Sequence, residues 1–74
     1  MVELEKKILD LMEIVSYLQL GEIYDELELT ETEGYSMPYL MREILMNELK
    51  KRRGERHIDL ETARKHLERK QAAL

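Results

Sequence analysis

The sequence predicts an all-α protein: a small bundle of three to four helices, completed by dimerisation. Three observations lead there. Apolar residues recur at spacings of three and four along most of the chain. The composition is rich in Glu, Leu, Lys and Arg, with one Pro, three Gly and no Phe or Trp, which favours helix over strand. The third is size: 74 residues with no cysteine make one small domain without a disulfide or a thiolate zinc site. A chain this short buries only about 60% of its unfolded surface when it folds alone, so helix packing or association must supply the rest.

Each element has its own justification. Met1, Leu4, Ile8, Leu11, Val15 and Leu18 form one apolar stripe, widened by Leu9 and Met12, and predict a helix over about residues 3–19. Ile14 and Tyr17 lie on a second face, so this helix is contacted from two sides. Leu4, Ile8, Leu11, Val15 and Leu18 are therefore the expected dimer interface. Gly21 costs about 1 kcal/mol inside a helix and is the expected break or bend. Leu20, Ile23, Tyr24 and Leu27 restart the pattern over 22–29. The segment 30–36 reads as a turn, with Gly34 suited to positive φ, Ser36 to a cap and Pro38 to a first helical turn. Leu40, Met41, Ile44, Leu45 and Leu49 predict a helix over 37–53, ended by Gly54. Asp59 caps a last helix, 60–73, and Ile58 is placed to staple onto Ala63.

The apolar content divides unevenly. Met, Val, Ile, Leu and Tyr total 29, and only Ile58, Leu60, Leu67 and Leu74 follow Gly54. Residues 1–54 thus read as a helical core domain and 55–74 as an appended polar C-terminal helix that depends on docking.

Charge divides unevenly too. Residues 1–35 hold ten acids and two bases, net −8; residues 36–74 hold ten bases and six acids, net +4; together these give −4. Such a split concerns partners and not fold. The cations concentrate in "NELKKRRGERH" (47–57). Cations in the last turn of a helix favour the negative end of its dipole, by about 0.3–1 kcal/mol each. Four in a row exceed that need and repel one another, so acids of residues 22–33 or a polyanion must offset them. Lys50, Lys51, Arg52, Arg53, Arg56, Arg64 and Lys65 are the candidate nucleic-acid contacts.

The order of segments over 8–53, "ILDLMEIVSYLQLGEIYDEL" then "SMPYLMREILMNELKKRR", resembles helix-turn-helix and winged-helix DNA-binding domains. "LGEIYDEL" takes the place of their second helix. The loop 28–35 is longer than the simple turn and has no central glycine, the second helix is acidic, and no strand pair follows Gly54. No family is assigned.

Other chemistry finds little support. His57 and His66 are nine apart and share no helix face, which argues against a metal site. Ser16 and Ser36 have no neighbouring His, so no nucleophilic triad is indicated. No glycine-rich phosphate loop is present, and no cofactor is expected. Met37, Met41 and Met46 read as core filling, and Tyr24, Tyr35 and Tyr39 as cover for the turn. Charges appear too early for a signal peptide and no apolar run is long enough for a membrane span, so a cytoplasmic, membrane-free chain is expected. Two non-enzymatic functions stay open. One is a nucleic-acid-binding regulator, contacting DNA or RNA through the basic half. The other is a protein-interaction module, an inhibitor or antitoxin-like partner, without nucleic-acid contact.

The dimer has a direct check. Light scattering at tens of micromolar is expected to give twice the monomer mass; a monomer mass removes the two-faced-helix argument.

Overall fold

The computed structural model describes residues 2–31 and 39–72. Four helices occupy them: α1 (Val2–Ser16), α2 (Leu20–Leu29), α3 (Tyr39–Arg52) and α4 (Leu60–Ala72). The turn expected beyond Glu31, the Ser36 cap, Pro38 and the chain ends Met1 and Leu74 lie outside the described residues.

The first break is not at Gly21. Helix α1 stops at Ser16, three residues earlier than the stripe suggests, and α2 begins at Leu20. The reason is capping. The Glu22 carboxylate accepts the Gln19 backbone N–H at 3.0 Å, half of a capping box. Gly21 then falls in the first turn of α2, where its N–H needs no helical partner and its interior penalty does not apply. The end of α1 is tightened by short-range bonds from Tyr17 N–H to Ile14 O and from Leu18 N–H to Val15 O.

The other ends follow the sequence. Gly54 has φ +73°, with Gly54 N–H on Lys51 O and Glu55 N–H on Lys50 O, so α3 closes in a Schellman arrangement. Asp59 Oδ1 accepts the Thr62 N–H at 2.6 Å and caps α4.

Helix α3 is the centre. It packs against both α1 and α2, and α4 packs against α1. The lateral order is therefore α4, α1, α3, α2. Partners fix the directions: Glu5 meets Lys70 and Glu13 meets Arg64, so α1 and α4 are antiparallel. Arg53 reaches Tyr24 while Arg42 reaches Thr30, so α2 runs antiparallel to α3. The core consists of Val15, Ile23, Ile44, Leu45 and Leu49, with Ile8, Leu11, Met12, Leu18, Leu27, Leu40, Met41 and Met46 packed around it. No residue of α4 is buried, as its thin apolar face implies.

One acid sits inside. Glu48 is 8% exposed, and its Oε2 accepts from Arg52 Nε at 2.9 Å. Arg52 Nη2 also donates to the carbonyls of Ser16 and Leu18. Helix α1 has no base in its last turn. Arg52 supplies the missing cation from the neighbouring helix.

The members of the basic run should therefore differ in a thermal melt. Arg52→Gln leaves Glu48 enclosed without its cation and is expected to cost about 1–3 kcal/mol. Lys51→Gln, on the exposed side, should cost about 0.5 kcal/mol or less. Equal losses would show that Arg52 does not join α1 to α3.

Candidate functional site

A concave feature lies between α1, α3 and α4. It is an open groove of about 540 Å³. Leu9 and Met12 of α1 form its floor, Leu40 and Ile44 one wall, and Ala63 and Leu67 the other. Ile58, 59% exposed, stands at its lower end. The groove is open because α3 and α4 each pack on α1 and, among the described residues, are bridged to each other near the loop 54–59. Asn47 makes that bridge: its Oδ1 accepts the Ile58 N–H at 3.0 Å and its Nδ2 donates to the Ile58 carbonyl at 2.7 Å.

Few polar groups edge this groove. Glu5 and Lys70 form an ion pair at 2.6 Å across the upper end. The Lys70 hydrogen bond holds the Glu5 carboxyl below the usual carboxylate range, with nearby His66 acting in the same direction. On the α3 edge, Glu43 accepts the Tyr39 hydroxyl, which raises the Tyr39 pKa above its ordinary value. No ion pair to Glu43 is found among the described residues.

The basic residues do not form one cluster. Arg52 is committed to Glu48 and the end of α1. Arg53 donates to the Tyr24 hydroxyl at 3.0 Å and lies 3.7 Å from Glu55. Arg64 meets Glu13 at 3.5 Å, and Lys65 meets Glu61 at 3.6 Å. Lys50, Lys51 and Arg56 are exposed, with no ion pair among the described residues. The acidic and basic halves of the chain thus meet partly within one molecule: Arg42–Glu31, Arg64–Glu13 and Lys70–Glu5 all cross the divide.

The expected dimer stripe is also divided. Val15 is fully enclosed by the chain's own core. Ile8, Leu11 and Leu18 are partly buried against that core, and Leu4 is half exposed. Ile14 of α1 and Tyr17, just beyond its end, are exposed on the second face.

Reading residues singly missed the groove and Asn47. An asparagine in the middle of an apolar helix was the available signal, since its side chain competes with helical bonding unless it has a tertiary partner. Among the described residues, no group of three or more His, Cys, Asp or Glu is placed to hold a metal ion, and no helix is long and apolar enough to cross a membrane. No protein-family description, curated protein or solved structure matches the chain.

Two carboxylates hold α4 in place, and both are depressed. Asp59 is lowered by the Thr62 backbone and side chain, and Glu5 by Lys70. A depressed carboxyl contributes stability above its unfolded pKa, about 4, and loses it as pH falls through the folded value. Amide exchange in α4 should therefore rise relative to α3 as pH drops below about 4. The pair of changes Glu5→Gln and Asp59→Asn should abolish that relative rise; persistence of the rise would assign it to other groups.

Proposed function

We propose that this chain is a non-enzymatic protein-interaction module that receives an apolar segment of a partner in the groove between α1, α3 and α4. The observation that carries this reading is the apolar lining left open where α3 and α4 flank α1 and are bridged through Asn47 and the Ile58 backbone. A groove of about 540 Å³ is in the range of sites that bind organic groups, and exposed apolar surface of this kind marks interaction sites. Apolar side chains of all three helices dominate its lining, and binding is the chemistry such a surface supports. The dimer remains a proposal of the same kind. With Val15 enclosed, it would rest on Leu4, Ile14 and Tyr17.

One observation favours nucleic acid as a second reading: Lys50, Lys51 and Arg56 stand exposed near the end of α3. Three cations suffice for weak, salt-sensitive contact, and the acidic balance of the chain opposes it.

Two measurements separate the readings. An anilinonaphthalene sulfonate dye should fluoresce on the native protein, and Ala63→Gln, which fills the groove without removing a core side chain, should quench that signal. No fluorescence on the native protein would count against an open apolar site. A mobility shift with nonspecific duplex at low salt is expected to show no stable complex. A shift that Lys50→Gln, Lys51→Gln and Arg56→Gln together abolish, flattening the salt slope by about one unit per lost contact, would favour the second reading.

A further inference from the structure

The groove also carries information about the shape and charge of its occupant. Its lining runs from Glu5 to Met12 on α1, from Leu40 to Asn47 on α3 and from Thr62 to Lys70 on α4. At 1.5 Å per residue these spans are about 10–12 Å, or two helical turns. Two turns are the distance covered by apolar anchors at i, i+3 or i+4, and i+7 of one helix face. An extended strand presents alternate side chains to opposite faces and would place only two anchors over the same length.

Charge selects further. Glu5 and Lys70 neutralise one another at the upper end. That leaves Glu43 as the carboxylate on the groove edge without an ion pair among the described residues. The charged side chains lining the groove are thus two acids, Glu5 and Glu43, and one base, Lys70, net −1 with His66 neutral. The uncompensated Glu43 carboxylate on the α3 edge favours a cation there.

Resting on the groove reading above, we infer that the occupant is a basic amphipathic helix of another protein. It inserts three apolar side chains over two turns and lays a Lys or Arg of its α3-facing flank against Glu43. The peptide completes the layer by filling the gap between α3 and α4, and its apolar face covers Ile58.

The test uses the full chain, isotopically labelled, and two 14-residue designed helical peptides. Both carry Leu at 4, 7 and 11; one has Lys on its flanks and the other Glu. A third peptide keeps the Lys flanks and has Ser in place of the three Leu. The Lys peptide should shift the backbone amide signals of Leu9, Ala63 and Leu67. Glu43→Gln, an exposed change that leaves the core intact, should weaken that peptide by about two- to fivefold, the range of one exposed ion pair, and the Glu peptide not at all. The Ser peptide should leave the groove signals unmoved. Equal binding of the Lys and Glu peptides, or an unchanged affinity in Glu43→Gln, overturns the basic-helix assignment and leaves the groove standing. Binding by neither peptide overturns the groove reading itself. Groove signals that move with protein concentration alone identify a second copy as occupant and overturn the inference.

Discussion

Arg52 bonds to two helices at once, and the arrangement of the rest depends on it. Its guanidinium neutralises Glu48, which α3 carries into the interior, and takes up carbonyls at the end of α1. Without that contact an enclosed carboxylate has no counter-charge, and the Ser16 and Leu18 carbonyls lose the donor that reaches them from α3. One side chain therefore fixes where α1 stops and how its end sits against α3. The core formed by Val15, Leu45 and Leu49 lies beside this contact.

With α1 set on α3, the remaining helices have separate fates. Helix α2 returns along α3 and buries Ile23. Helix α4 has too few large apolar residues to enter the core, so it rests on α1, held at its ends by Asp59 and by the Glu5–Lys70 pair. A fourth helix docked on one neighbour cannot close a bundle. The open side becomes the groove, and Asn47 keeps its lower end at a fixed width by holding the Ile58 backbone through both of its side-chain groups. The candidate site is thus a consequence of a thin amphipathic face and not of any single reactive residue.

The basic run shows why a charge count is a poor guide to a surface. "KKRR" reads as four equivalent cations, yet neighbouring residues on a helix point about 100° apart and meet different surroundings. Arg52 turns inward to α1 and Glu48, and Arg53 turns to Tyr24 on α2. Lys50 and Lys51 remain outside. Their backbone carbonyls close the helix with Gly54, so residues that look like a ligand site also serve as a helix end.

The sequence by itself determined the all-helical class, the helical span of α3, the stop at Gly54, the Asp59 cap and the concentration of core residues before Gly54. These are local properties. Periodicity, positive φ at glycine and a cap bond each act within a few residues, so each leaves a local mark. Tertiary structure alone decided the rest. It moved the first break to residues 17–19, because Gln19, Glu22 and the distant Arg52 stabilise that ending better than Gly21 does. It divided one apolar stripe between an enclosed Val15 and a half-exposed Leu4. It also formed the groove, which depends on where three helices lie relative to one another. Contacts between residues 34 to 65 positions apart, such as Leu18 with Arg52 and Glu5 with Lys70, have no signature in local spacing, and only the folded chain brings them together.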